Sequence, residues 1–414
     1  MTTRGVVAEV FFKAVTFRYI LCNTPDSGDT YQHTKTVYSY FTSIPWEIIF
    51  VHRSIVTFGE IMGRVNTVGF RRLAQSLPGN VEMMFAGAEA NVAVSICQLG
   101  GMARFVSALP DHAVADACLK SLNVFGIDTQ YVVRGGEGRL GMYFIEGGVN
   151  QRPSNIVYDR DGSTISLTPA IAYDWSSALA NATWLHVTGI TPAISSTAAQ
   201  ATLEAVQAAE QLGLTVSCDL NFRKKLWRWR PEVEPAKLAQ QTMREILQHV
   251  EIVIANEEDA AVVLDIHAGD SDVESGKLAI DKYPTVAQEI VRQFSHVTRV
   301  AITLRESISA SHNRWGAMLY DARQDQACFA PLNDGQYCPY EITNIVDRVG
   351  AGDSFAAGLI YASCTSGLDV PTDTLAFATA SSCLAHSVPG DFNYATREEV
   401  EALMHGSGSG RVVR

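Results

Sequence analysis

The stretch Asp347-Arg348-Val349-Gly350-Ala351-Gly352-Asp353-Ser354-Phe355 joins an extended segment, residues 341–346, to a helix whose apolar stripe is Phe355, Leu359 and Ile360. The glycines therefore stand where a loop enters a helix. Backbone N–H groups at such a start lack partners within the helix, and the helix dipole favours negative charge there. Small residues let an anion approach the backbone closely. Gly350, Ala351 and Gly352 are thus a candidate anion hole, and Asp353 places a carboxylate in the first turn beside it. A carboxylate so placed can take the proton of a hydroxyl as its oxygen attacks a phosphoryl group. The spacing by itself describes an ordinary capping aspartate equally well.

Working outward, short apolar runs alternate with longer amphipathic ones. Ile55-Val56-Thr57-Phe58-Gly59 reads as a buried strand, and 91–99 as a helix with Val92, Val94, Ile96 and Leu99 on its apolar side, closed by Gly100-Gly101. Residues 104–108 read as the next strand and 114–125 as a helix. Further strands are predicted at 184–188, 215–220, 252–256, 299–304 and 317–320. Helices are predicted near 194–212, 235–248, 257–264, 284–295, 353–366 and 372–386. Such alternation predicts an α/β fold, a mostly parallel sheet with helices on both faces. Residues 131–168 break the rhythm with three short strands and glycine turns, an antiparallel excursion expected to pair with 62–85.

The composition narrows the function classes. The chain has 414 residues, 47% of them hydrophobic, and a net charge of −12. That balance argues against non-specific nucleic-acid binding. The eight cysteines include no C-x-x-C pair, which points to free thiols in a reducing, cytoplasmic setting. No apolar run reaches about 18 residues, so no membrane span is expected. Regular patterning starts near Ile55, and residues 1–53 read as an N-terminal extension outside a domain spanning 54–414.

Two glycine patterns mislead. Gly136-x-Gly138-x-x-Gly141 matches a dinucleotide fingerprint by letter, but a strand follows it instead of a helix. Ser275-Gly276-Lys277-Leu278 lacks the remaining residues of a P-loop. Other constellations suit a ligand better. Gly87 and Asn91 open the first strong helix, where small residues admit a ligand and an amide can bond a hydroxyl. Arg160 and Arg223 follow predicted strand ends, where open α/β sheets bind ligands, and a guanidinium suits a carboxylate. Asn256-Glu257-Glu258-Asp259 follows another strand, and its carboxylates suit Mg²⁺ held through water, or simply the helix dipole.

Together these stretches resemble the ribokinase-like (PfkB-type) sugar kinases. The 347–355 stretch is similar to that family's second signature, and Gly87 through Gly101 echoes the first. Thr57-Phe58-Gly59-Glu60, Gln151-Arg152-Pro153-Ser154, Asp219-Leu220-Asn221-Phe222-Arg223-Lys224-Lys225-Leu226-Trp227 and Gly390-Asp391-Phe392-Asn393 look most like the 2-dehydro-3-deoxygluconokinases within it. The resemblance implies a three-layer αβα sandwich plus a small β-sheet lid, from about 62–86 and 131–168. It implies phosphorylation of the C6 hydroxyl of 2-dehydro-3-deoxy-D-gluconate by ATP with Mg²⁺. It makes Asp353 the base and Gly350–Gly352 the anion hole. Gly87, Asn91, Tyr143, Tyr158, Arg160 and Arg223 would line the sugar-acid site. Asn256, Thr303, Arg305 and Ser307 would lie on the nucleotide side, with Asn256 and Asp259 reaching the metal through water. Asp259 stands where a glutamate is usual, Gly63 where an apolar residue is expected, and Ala86 where glycine is common. A neutral-sugar kinase, a kinase for an epimer of the sugar acid, and a non-catalytic sugar-binding regulator are the alternatives. A homo-oligomer is compatible with the sequence.

Overall fold

The first apolar run forms β1 (Ser54–Phe58), buried from Ile55 onward. In this computed structural model, which describes residues 54–256, 258–267 and 280–406, the chain continues through thirteen labelled strands. These are β2 (Met62–Asn66), β3 (Glu82–Ala86), β4 (Ala103–Val106), β5 (Ala108–Leu109), β6 (Val133–Arg134), β7 (Met142–Glu146) and β8 (Asn155–Asp159). There follow β9 (Ala182–Thr188), β10 (Thr215–Asp219), β11 (Ile252–Asn256), β12 (Arg299–Ser309), β13 (His312–Asp321) and β14 (Gln326–Ala330).

The central sheet runs β14-β13-β12-β11-β10-β9-β1-β4, and the strand Tyr340–Ile342 pairs with β13 beside it. Pairing is parallel from β12 through to β4 and antiparallel where β13, β14 and Tyr340–Ile342 join. Alternate side chains enter opposite layers. Val253 and Ala255 of β11 pack on one face with the helices Ser196–Gln211, Pro235–Ile246 and Tyr283–Gln293. Ile252 and Ile254 pack on the other face with the helices Ala88–Gln98, Ala351–Ser363 and Pro371–Ala385. Each fully buried Leu, Ile or Phe there contributes roughly 1.5–3 kcal/mol. Gly358 lets the last two helices touch, because a Cβ there would lie 2.8 Å from the Ala378 Cα.

A separate four-stranded sheet runs β3-β2-β7-β8. Met62, Ala86, Tyr143 and Ile145 form its buried inner cluster, against which Val349 packs. Gly63 is explained by its neighbours: a Cβ would meet Met142 Sδ at 2.5 Å and Met83 Cε at 2.8 Å, so methionines fill the expected apolar volume.

Several expectations are corrected. The excursion is not wholly antiparallel, since β2 pairs with β7 in parallel. The long connection between them, which passes through β4, permits that direction. Residues 131–134 do not join it. Val133 and Arg134 form β6, parallel to β5 and reached through the intervening helix Ala113–Asn123. Its end folds instead into the short helix Thr164–Leu167. The helix predicted from 353 begins at Ala351, because Gly350 caps it with a left-handed φ of 85°. That predicted from 257 begins at Asp259. β12 and β13 extend beyond the predicted 304 and 317 as a mostly polar, partly exposed hairpin that reads as loop by hydropathy, with Asn313 and Trp315 buried on its return arm. Residues 1–53, Glu257, the Ser275–Leu278 fragment and the tail from 407 lie outside the described residues. Among those described, no helix is long and apolar enough to cross a membrane.

Candidate active site

The carboxyl ends of β1, β10 and β11, the middle of β12 and the inner face of the small sheet line a cavity of about 650 Å³. Its floor is the start of the helix Ala351–Ser363. The leading N–H groups of that helix have no intrahelical partner. Gly350 is required twice over: its φ is 85°, and a Cβ there would lie 2.3 Å from the Asp391 carbonyl oxygen.

Asp353 occupies the helix's first turn. Its carboxylate lies deep among protein atoms yet faces the cavity. Burial pushes its pKa up to about 7, while a hydrogen bond from Asn91 opposes the shift. Asn91 Nδ2 donates to Asp353 Oδ2 at 2.6 Å, and its Oδ1 accepts from Gly87 N at 3.2 Å. Two expected ligand residues thus brace one another and the base. Beneath them Glu89 accepts from the Thr188 and Thr191 hydroxyls at 2.7 and 2.9 Å. Burial raises its pKa to about 7 against those hydrogen bonds.

The two arginines differ. Arg160 lines the cavity, but it is buried and its Nη2 ion-pairs with Glu60. Arg223 is exposed to the cavity, donates only to its own neighbour's carbonyl, Phe222 O, and has no ion pair among the described residues. Burial raises the pKa of Asp353, Asp219 and Asp259, and the Arg223 charge is close enough to oppose that rise in all three. Tyr158 borders the cavity, as does Tyr143, whose hydroxyl donates to Asp391 Oδ1 at 2.9 Å.

On the opposite side Asn256, Thr303 and Arg305 line the cavity. Ser307 does not; it is exposed on the hairpin, opposite Asn313. Asp259 is buried, its Oδ1 accepting from Phe222 N at 3.1 Å and its Oδ2 from Asn256 N at 3.2 Å. Burial raises its pKa, and those backbone hydrogen bonds oppose the shift. Among the described residues no group of three or more His, Cys, Asp and Glu side chains could hold a metal directly.

The model of the pfkB family of carbohydrate kinases matches residues 52–304. The chain belongs to that family. A 2-dehydro-3-deoxygalactonokinase of Haloferax volcanii is 31% identical, over 86% of this chain and 98% of its own. The crystal structure of a 2-dehydro-3-deoxygluconokinase from Thermotoga maritima shares 40% identity, with a TM-score of 0.77 over 86% of this chain and 99% of that one. A fructokinase from Xylella fastidiosa with bound ATP shares the fold at 20% identity, with a TM-score of 0.66 over 87% of this chain and 100% of its own.

For a carbohydrate kinase of this fold the sequence reading omitted several cavity residues. Glu60, Asp219, Asn221, Lys224, Arg348 and Asp391 all line it. All six stand inside quoted stretches, but nothing in their spacing announced that they face a ligand. Arg348 binds the hairpin carbonyls of Ser309 and Ala310 at 3.0 Å, a contact only the tertiary fold reveals.

Proposed function

We propose that this carbohydrate kinase transfers the γ-phosphoryl group of ATP to the C6 hydroxyl of 2-dehydro-3-deoxy-D-gluconate. The observation that carries this reading is Arg223, a guanidinium with no carboxylate partner among the described residues, facing the same cavity as Asp353. A sugar acid supplies that partner and a neutral sugar does not. The name and 40% identity of the Thermotoga maritima relative support the gluco acid.

In the proposed reaction the C6 oxygen attacks the γ-phosphorus and the bond to the bridging oxygen of ADP breaks. The hydroxyl proton passes to Asp353. Its pKa of about 7 leaves it substantially ionised at neutral pH, yet basic enough to accept that proton. The N–H groups at Gly350–Gly352 bind the phosphate oxygens, where charge is spread in the transition state. Arg223 anchors the far carboxylate, and Tyr143 and Tyr158 flank the sugar from the small sheet, which acts as a lid. Arg305, Thr303 and Asn256 border the nucleotide. The cavity's oxygen donors, Asn256, Asp219 and Asp259, are of the hard kind that Mg²⁺ takes. Asn256 and Asp259 would hold it through water. Bound with the nucleotide, Mg²⁺ supplies neutralisation of phosphate charge.

A coupled ADP-release assay across this acid, its galacto epimer, fructose and ribose tests the reading. Turnover of the gluco acid at least tenfold above both neutral sugars is expected. Preference for fructose or ribose would refute it. The Haloferax volcanii relative's name favours the epimer as a second reading, and preferential turnover of that acid would select it.

A further inference from the structure

Arg64 lies on β2 of the small sheet, yet both its terminal nitrogens are spent on the loops around the proposed phosphate cradle. Nη1 pairs with Asp391 and Nη2 with Asp347, and the guanidinium is only 4% exposed. Each partner shapes the floor of the cavity. Asp347 Oδ1 accepts from Arg348 N and Val349 N at 2.8 and 3.1 Å, folding the segment that leads into Gly350. Its Oδ2 accepts from Gly390 N at 3.2 Å, joining that segment to the loop carrying Asp391. The Asp391 carbonyl presses on Gly350 so closely that no side chain fits between them. Tyr143 of β7 adds a hydroxyl to Asp391 Oδ1, so two strands of the small sheet hold the same carboxylate.

We propose that Arg64 is a positioning residue that ties the seating of the small sheet over the cavity to the shape of the phosphate cradle. The small sheet carries Tyr143 and Tyr158, which face the cavity. A sheet seated on its acceptor therefore presents Arg64 to Asp347 and Asp391, and these hold Gly350 in place. A displaced sheet withdraws the guanidinium and leaves two carboxylates facing one another beside the cradle. Their repulsion and desolvation penalise that arrangement. Phosphoryl transfer is then efficient only with the acceptor enclosed, which disfavours transfer to water.

The inference rests on the reading of Gly350–Gly352 as the cradle. Its test uses Arg64→Lys and Arg64→Met in the full chain, with whichever acceptor of the panel above the unaltered protein turns over. Lysine keeps the charge but cannot bridge two carboxylates with a fixed fork. Turnover is measured per ATP-binding site, so that unfolded molecules do not count. The expected result is a kcat per site lowered about 100-fold in Arg64→Met and by a smaller factor in Arg64→Lys, with ATP affinity changed less than about threefold. ATP hydrolysis without acceptor is expected to rise relative to transfer. A merely structural role would lower the unfolding temperature but leave kcat per site unchanged, and that result would overturn the proposal. So would failure of both variants to bind ATP. Full activity of Asp353→Asn would instead overturn the cradle-and-base reading itself, whatever the Arg64 variants do.

Discussion

Asn91 Nδ2 donates to Asp353 Oδ2 at 2.6 Å, so the proposed base is held by the helix that opens at Gly87. That bond favours the ionised carboxylate, whereas burial, the larger effect, lifts its pKa to about 7. The acidic limb of kcat/KM is therefore expected near pH 7, with activity rising to a plateau above it. Asn91→Ala removes the opposing bond and should move the limb to higher pH. A pH–rate profile of both proteins checks this, and an unmoved limb would separate Asn91 from the base.

The same carboxylate has a cost in stability. Its folded pKa exceeds its unfolded one, so the folded state binds the extra proton between about pH 4 and pH 7. The stability that this group contributes is complete below about pH 4 and is lost as pH rises through about 7. Asp353→Asn removes the ionisation. It is expected to be inactive, and more stable than the unaltered protein at about pH 8. The difference should shrink toward about pH 4. Thermal unfolding at the two pH values reads it directly. Glu89, also raised to about 7, is present in both proteins, and because its charge helps raise the pKa of Asp353, removing the Asp353 charge relieves Glu89 too and adds to the difference at about pH 8.

The unequal arginines give unequal variants. Arg223→Met removes an exposed guanidinium that has no carboxylate partner among the described residues, so KM for the sugar acid should rise about 10- to 100-fold with little change in unfolding temperature. Arg160→Met leaves Glu60 buried and unpaired. Breaking such a pair costs about 3–5 kcal/mol, so that variant should lose stability and affect sugar and ATP together. Steady-state kinetics beside thermal melts distinguish the two, and a stable Arg160→Met with raised sugar KM alone would reverse the assignment.

The central sheet was legible because its strands are buried on both faces and its helices carry regular apolar stripes. Ile252 and Ile254 on one side and Val253 and Ala255 on the other leave no other reading. The β12–β13 hairpin was only half legible, because most of its outer residues, Asn313 and Trp315 apart, gain order from pairing with little burial. Asp353 and the glycines before it were visible as a loop-to-helix junction. The Asp347–Arg64–Asp391 set was not, since its partners are separated by up to 327 positions and no local period links them. Arg160 and Arg223 looked alike as loop arginines. What separates them is Glu60, a contact set by the fold.

Gly350→Ala tests the floor of the cavity. A methyl group would have to share space with the Asp391 carbonyl, 2.3 Å away, and adopt a φ of 85°. Strain of this kind costs on the order of 1–3 kcal/mol. The expected outcome is a lower unfolding temperature and loss of most phosphoryl transfer, with sugar-acid affinity retained, because Arg223 stands on another element. Isothermal titration with the sugar acid beside the ADP-release assay checks both halves, and normal transfer would show that the loop tolerates displacement.

Asp259 separates a metal-side role from a scaffolding one. Its Oδ1 accepts from Phe222 N and its Oδ2 from Asn256 N, so one carboxylate ties the loop carrying Arg223 to the end of β11. Asp259→Ala leaves both N–H groups without a partner, and each orphan costs about 1–3 kcal/mol. The loop before Arg223 should loosen, so KM for the sugar acid is expected to rise several-fold. The Mg²⁺ concentration for half-maximal rate should rise too, because Asn256 loses its brace. Asp259→Asn keeps one acceptor and should restore part of both. Titrating Mg²⁺ and sugar acid against each variant decides the matter. A change confined to Mg²⁺ would make Asp259 a metal-side residue alone, whereas a change in both follows from the carboxylate's position between the two loops.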